Sequence, residues 1–264
     1  MKITILGSGT SHGIPVVGCR CRVCRSPCRR DRRMRASILV EGRGGEKAVI
    51  DTGPEFRLQA VRAGLRRLDA VFLTHAHADH VHGLDDVRPL CTEGPLPVYS
   101  NRETIGELRE RFSYVFRETQ AGGGKPKLRL CTAEEAVRLG GLLFTPVPVR
   151  HGELDILGWR IEENGSSLAY LTDVSAIPPS SMKIAEKPRV LVIDGLRARP
   201  HPTHFSFTEA LSAAADLRAG DVYLTHISHD YTHREINRIC ERFRKSRKFG
   251  GVMRAAWDGL ILSL

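Results

Sequence analysis

The stretch Ala70-Val71-Phe72-Leu73-Thr74-His75-Ala76-His77-Ala78-Asp79-His80 decides the fold. Its first four residues form a short apolar run with a β-branched and an aromatic member, the pattern of a buried strand. Straight after that run come four potential metal ligands in six residues: His75, His77, Asp79 and His80. Positions two apart on an extended or tightly looped segment can aim His75 and His77 at one metal, while Asp79 and His80, just beyond, turn toward a second. One loop at a strand's C-terminal end thus seeds two sites, in the place where α/β sheets carry active-site loops. A chance cluster of surface histidines has no reason to arrive with a carboxylate directly after an apolar strand.

Upstream, Lys2–Leu6 reads as a strand that ends in a glycine loop, followed by strand candidates Ala36–Val40 and Lys47–Ile50. Pro54–Leu65 has helical spacing, with Pro54 suited to a first turn and Gly64 to a stop. Downstream, helices are expected over Glu103–Phe116, Phe207–Leu217 and His233–Lys245, and Gly122-Gly123-Gly124 as a mobile loop. Strands are expected over Leu142–Pro146, Gly158–Glu162, Leu168–Leu171, Val190–Ile193, Val222–Leu224, Val252–Ala256 and Leu260–Leu262. Strands in succession with interspersed helices predict an α/β fold of two mixed sheets between helical layers, not strict βαβ alternation. A length of 264 residues, 41% hydrophobic and 27% charged, suits one large globular domain spanning 1–264. No apolar run approaches the roughly 20 residues that cross a bilayer. The run Ile3–Leu6 stops at Gly7-Ser8-Gly9 without a leader pattern, so a cytoplasmic location and no membrane partner are expected.

The formal net charge is +10, crowded into Arg20–Arg35 and Arg234–Lys248, which makes anionic partners plausible. A nucleic-acid surface is not favoured, because no aromatic residues interleave as stacking platforms; a solvated basic face is the simpler reading. Of seven cysteines, Cys19, Cys21, Cys24 and Cys28 fall within ten residues, while Cys91, Cys131 and Cys240 are scattered and read as core. An odd set crowded at one end is a metal site before it is a disulfide framework. Cys19, Cys21 and Cys24 supply most of a tetrahedral structural zinc site in a loop around 19–28, with the fourth ligand either Cys28 or a residue from elsewhere. Gly7-Ser8-Gly9-Thr10-Ser11-His12-Gly13 is not a dinucleotide fingerprint, since its third glycine comes one residue late and no helical pattern follows. It is expected to let backbone pass close to the active site.

His-x-His-x-Asp-His after an apolar strand resembles the signature of the metallo-β-lactamase superfamily. His151 after Pro148-Val149-Arg150, Asp173 after Ala169-Tyr170-Leu171-Thr172, and His226 after Val222-Tyr223-Leu224-Thr225 each end an apolar run. The resemblance implies an αββα sandwich in which His75, His77 and His151 hold one metal and Asp79, His80 and His226 the other. Asp173 would bridge them, and Asp51 would orient neighbouring ligands without binding metal.

Gly13 to Cys24, read as Gly-x-Pro-Val-x-Gly-Cys-x-Cys-x-x-Cys, and Thr225-His226-Ile227-Ser228-His229 are similar to the PhnP phosphodiesterases, and the likeness runs from Leu6 to Trp257-Asp258-Gly259. It points to His229 as the fourth ligand of the structural zinc. It implies hydrolysis of a small or cyclic phosphodiester by a water activated between two divalent cations, zinc or manganese, with iron acceptable to the same ligands. His204, in Pro202-Thr203-His204-Phe205-Ser206, would assist the leaving group as a general acid beside the bridging Asp173. The expected partner is a small anionic phosphodiester, and a homodimer is left open. Two alternatives share the resemblance. An RNA-processing nuclease is favoured by the charge and disfavoured by the lack of a long RNA-binding arm. A PqqB-like, non-hydrolytic cofactor-pathway protein shares the cysteines, whereas the intact His-x-His-x-Asp-His favours hydrolysis. His82 and Asp85-Asp86 have no assigned role; Arg150, Arg197 and Arg199 are phosphate-binding candidates, with surface exposure as the simpler reading.

Overall fold

The computed structural model describes every residue except 93 and 119–123, so most of the predicted glycine loop at 122–124 lies outside the described residues. Strands β1 (Lys2–Gly7), β2 (Ser37–Glu41), β3 (Lys47–Ile50), β4 (Ala70–Phe72), β5 (Leu96–Ser100) and β6 (Leu128–Thr132) build a first sheet. Strands β7 (Val137–Leu139), β8 (Leu142–His151), β9 (Leu154–Glu163), β10 (Ser166–Leu171), β11 (Val190–Asp194), β12 (Asp221–Thr225) and β13 (Met253–Ala255) build a second. The last strand, β14 (Ile261–Ser263), returns to the first sheet, giving the orders β14-β1-β2-β3-β4-β5-β6 and β13-β12-β11-β10-β9-β8-β7. Both sheets are mixed, antiparallel from β14 to β3 and from β7 to β10, and parallel from β3 to β6 and from β10 to β13. Parallel strands covered on both faces need continuous apolar runs, and Val190-Leu191-Val192-Ile193 is buried throughout.

Three apolar clusters mark the layers. Between the sheets, Phe72 stacks on Phe144 with centroids 3.9 Å apart, and Trp159 meets Phe72 edge-on at 4.9 Å. Outside the first sheet, Phe56 of α1 (Phe56–Arg62) and Ile105 and Leu108 of α3 (Arg102–Arg111) join a second cluster. Outside the other sheet, α5 (Pro179–Ile184), α6 (Phe207–Asp216) and α7 (His233–Ser246) contribute Met182, Phe207, Leu211, Ile236 and Cys240 to a third. Each of these side chains except Met182, which is only partly buried, contributes roughly 1.5–3 kcal/mol. Helix, sheet, sheet and helix thus stack as the αββα sandwich. Among the described residues no helix is long and apolar enough to cross a membrane.

Several boundaries differ from the sequence expectation for local reasons. The helix expected over Glu103–Phe116 breaks at Phe112, whose φ of −107° and ψ of 33° turn its ring into the core and start a separate turn, α4 (Ser113–Phe116). Strand β8 runs through Pro146 and Pro148, where the sequence suggested an end. Between Phe144 and Arg150, where Arg150 bridges Ala176, it pairs only with β9, so the missing N–H groups break no ladder on the open side. Strands β5, β6 and β7 were not expected, since Pro97 interrupts the first and the other two are half-exposed edge strands. Helices α6 and α7 begin at capping boxes, Ser206 with Glu209 and Thr232 with Glu235.

Candidate metal centre

The carboxyl ends of the parallel strands from both sheets face one cleft. Asp51 follows β3, His75 follows β4 by three residues, Asp173 follows β10 by two, Asp194 ends β11 and His226 follows β12. Asp51, Asp173 and His226 have φ of 65°, 58° and 55°, left-handed conformations that cost a non-glycine residue about 1–2 kcal/mol. After β4 the chain passes through a loop to an extended His77, which holds the N-cap position of one helical turn, α2 (Ala78–Val81). Asp79 and His80 lie on that turn and so point away from the direction of His75 and His77. The turn is locked by the loop after β3. Thr52 N donates to His80 O (2.7 Å), Gly83 N donates to Thr52 O (2.8 Å), and a Cβ on Gly53 would meet Asp79 O at 2.3 Å.

Ligand atoms of His75, His77 and His151 lie within 4.8 Å of one another, and those of Asp79, His80, Asp173 and His226 form a second such group. The two groups adjoin, with the His75 and His80 rings 4.3 Å apart. Within the second group His80 Nε2 is 3.2 Å from both Asp79 and Asp173, and His226 Nε2 is 3.2 Å from Asp173. Yet His75 Nε2, His80 Nε2 and His226 Nε2 are buried without any hydrogen-bond partner. Buried polar nitrogens are normally paired, so a ring of them converging with carboxylates on one space fits divalent cations.

Surrounding groups fix the tautomers that such cations need. His80 Nδ1–H donates to Asp51 Oδ2 (2.8 Å), and Asp51 is held by Thr74 N (2.8 Å) and Thr74 Oγ1. His151 Nδ1–H donates to Thr203 O (2.8 Å). In the neutral ring each keeps its Nε2 lone pair for a cation. Burial opposes charge throughout, pushing the His75 and His151 imidazoles down. For His226 the carboxylates of Asp173, Asp79 and Asp194 outweigh burial and lift it to about 9. His80 is likewise raised, by Asp173, Asp79 and Asp51, and these cations in turn hold Asp79 and Asp173 ionised despite their burial.

One participant escaped the sequence reading. Asp194 is fully buried, accepts Val174 N (2.8 Å) and accepts His204 Nδ1–H on Oδ2 (2.8 Å), while its Oδ1 stands 3.8 Å from His226 Nδ1. It ends the apolar run Val190-Leu191-Val192-Ile193, the same signal by which His151, Asp173 and His226 were found. His204 stands 4.7 Å, ring to ring, from both His151 and His226. His201, also missed, lies 5.1 Å from His204. Burial and the charge on His226 push His204 down to about 4, while burial pushes Asp194 up.

The three thiols form a separate group with His229. Its Nδ1 lies 3.4, 3.6 and 3.4 Å from the sulfurs of Cys19, Cys21 and Cys24. Tetrahedral ligation with Zn–S of about 2.3 Å and Zn–N of about 2.0–2.1 Å gives S···N edges near 3.5 Å. Cys28 is exposed and outside the group. The glycine loop after β1 runs beside this segment: Thr10 N donates to Ile227 O (3.1 Å) and Ile227 N to Ser8 O (3.0 Å). His82 packs on Phe112, Asp85 accepts from Tyr114, Arg150 pairs with Asp155 (3.2 Å), and Arg197 donates to Pro200 O (3.4 Å). None of these four joins a ligand group, nor do Asp86 and the exposed Arg199.

This fold and centre define the class, and the chain belongs to the beta-lactamase superfamily: residues 47–227 match the Beta-lactamase superfamily domain. Within it the chain resembles a diphosphatase of the PhnP family, at 42% identity and a TM-score of 0.86, over 100% of this chain and 97% of that one. It is 30% identical over 217 residues to coenzyme PQQ synthesis protein B of Methylobacterium radiotolerans, covering 75% of this chain and 69% of that protein. It is 41% identical over 232 residues to a Porphyromonas gingivalis protein named octanoyltransferase, covering 87% of this chain but 46% of that protein, so the chain spans about half the length of that relative. The family's fold implies divalent metal ions.

Proposed function

We propose that the chain is a dinuclear phosphodiesterase that splits small phosphodiesters, cyclic ones included, and the related phosphoanhydrides. The observation that carries this reading is the placing of two ligand groups and the His204–Asp194 pair on one cleft. His75, His77 and His151 would hold one cation, Asp79, His80 and His226 the other, and Asp173 both. Bound there, two divalent cations supply a Lewis-acid clamp on phosphoryl oxygens and lower the pKa of water toward neutrality.

The chain's own groups do the rest. Asp51 and the Thr203 carbonyl keep the Nε2 lone pairs of His80 and His151 pointed inward. Asp194 fixes the His204 tautomer through Nδ1–H, so that Nε2 faces the cleft. An anionic phosphoryl group adds the negative charge that draws a proton to that Nε2, from which it passes to the departing oxygen. A diphosphate ester attacked at its ester-bearing phosphorus fits the same chemistry as a diester, because that phosphorus carries two substituted oxygens in both, and the PhnP-family relative is described as a diphosphatase. A structural zinc on Cys19, Cys21, Cys24 and His229 would brace the segment carrying His226. With it the loaded protein holds about three metals per chain.

The test is metal analysis coupled to turnover of bis(p-nitrophenyl) phosphate, a cyclic phosphodiester, a diphosphate ester, a phosphomonoester, a lactone and a tRNA precursor. Metal-dependent cleavage of the first three is expected. Turnover confined to the lactone or the monoester would sink the proposal.

A further inference from the structure

The two basic runs, some two hundred residues apart in sequence, meet in space. The segment around Arg30 and the face of α7 line an open groove of about 1150 Å³, distinct in its residues from the metal-ligand groups. Arg234, Arg238 and Arg242 stand at i, i+4 and i+8 on α7 and line it together, all exposed. Among the described residues none of the three has an acidic partner. Glu235 is taken by Arg22 (2.9 Å) and by the Thr232 cap, Glu241 by Arg244 (2.8 Å), and Asp31 by His233 N (2.6 Å) and Ser26. Like charges at this spacing repel along a helix, so an uncompensated row is a cost to folding that a polyanion would remove.

The fold also supplies the aromatic that the sequence seemed to lack. Trp257, from the turn before β14, borders the adjoining hollow with Arg30 and His233, and the Arg30 guanidinium lies 4.4 Å over its ring. Two neutral donors complete the wall. Asn237 uses its Oδ1 to accept Ala255 N (2.9 Å), which leaves its amide N–H groups unspent. His233, only 5% exposed, has Nδ1 3.4 Å from the buried Arg33 guanidinium, so Nδ1 is the acceptor and Nε2 carries the hydrogen. That Nε2 is buried without a partner.

We propose that this groove binds single-stranded RNA, with Arg234, Arg238 and Arg242 on successive phosphates and the Arg30 guanidinium, held flat over the Trp257 ring, as the stacking plane at one end. One arginine per four residues is a step of about 6 Å along α7, near the repeat of phosphates on one strand. Stacking beside arginines suits any base. His233 Nε2–H and the Asn237 amide are neutral donors suited to a ribose 2′-hydroxyl, the group that separates RNA from DNA. An acidic peptide would satisfy the arginines alone.

The experiment is fluorescence anisotropy of the full-length, metal-loaded protein with a labelled oligouridylate of about a dozen nucleotides. DNA of matching sequence and polyglutamate serve as competitors. Reversing Arg234, Arg238 and Arg242 to Glu should abolish binding while turnover of bis(p-nitrophenyl) phosphate stays unchanged. The milder triple change to Ala should make the plot of log affinity against log salt shallower by about two, at roughly 0.7 per phosphate. Asn237→Ala should lower RNA affinity several-fold and leave DNA affinity alone. Unaltered RNA binding in either triple variant overturns the assignment, as does polyglutamate competing as well as RNA. A thermal midpoint no lower in the Ala variant than in the parent separates lost binding from lost folding.

Discussion

Loading the centre with metal should expel protons from the imidazoles that its carboxylates hold charged. In the metal-free protein His226, lifted to about 9 by Asp173, Asp79 and Asp194 against its burial, carries its proton at neutral pH, and His80 is raised as well. Cations bind neutral imidazole, so filling the group of Asp79, His80, Asp173 and His226 must release about two protons. Asp79 and Asp173 are already ionised and release none. His75 and His151, pushed down by burial, have none to give. The bound form therefore carries fewer protons than the free form, so affinity rises with pH. For that group it should rise by about a hundredfold per pH unit near neutrality, and for the other group far less. Calorimetric zinc titration in two buffers of different ionisation enthalpy measures the protons directly. His226→Gln should lower the count by about one, which isolates the imidazole's share from any other source. A heat independent of buffer, or a proton count unaltered in the variant, would refute the reasoning.

Replacing His204 by Ala should slow cleavage of an alkyl phosphodiester by roughly 10²–10⁴-fold. A p-nitrophenyl ester, whose leaving group needs no proton, should lose much less, so equal losses would remove His204 from the proton step. Asp194→Asn should reproduce most of the alkyl-ester defect without changing the metal count, since it acts through His204; loss of metal instead would make it a support of His226. Cys24→Ser should take one metal from the chain and lower stability. A cross-link between Cys19 and His229, 210 residues apart, is worth up to about 5 kcal/mol, a limit that denaturant unfolding can check. Phe144→Ala, which removes the ring stacked on Phe72 between the sheets, should cost about 3–5 kcal/mol in the same measurement.

Most strands carried their own signal, because the parallel ones are wrapped on both faces and must read as unbroken apolar runs, as Val190–Ile193 does. The strands that stayed hidden sit at sheet edges or contain proline, where half-exposure and a missing donor dilute the pattern. Polar residues that end apolar runs were legible as a group, and Asp194 was passed over although it has that mark. It makes no ligand set with the His-x-His-x-Asp-His run, and only the tertiary approach of His204 and His226 gives it work. The choice between Cys28 and His229 could not be read locally, since it depends on how a segment 205 residues beyond Cys24 folds back. The basic runs were visible, but their meeting was not, nor was Trp257 beside them, because each comes from a separate stretch of chain.

Asp51, Asp173 and His226 occupy backbone that glycine would accept freely. Folding and chemistry thus ask for different residues at these three positions. A library of variants selected for heat resistance alone, without substrate, should drift toward glycine there and yield sturdier but inert proteins. Selection for turnover should hold all three fixed and recover the lost stability elsewhere, in the packing between the sheets. The exchange between those two outcomes can be followed by sequencing alone, and it would measure how much resilience the chain gives up to stay active.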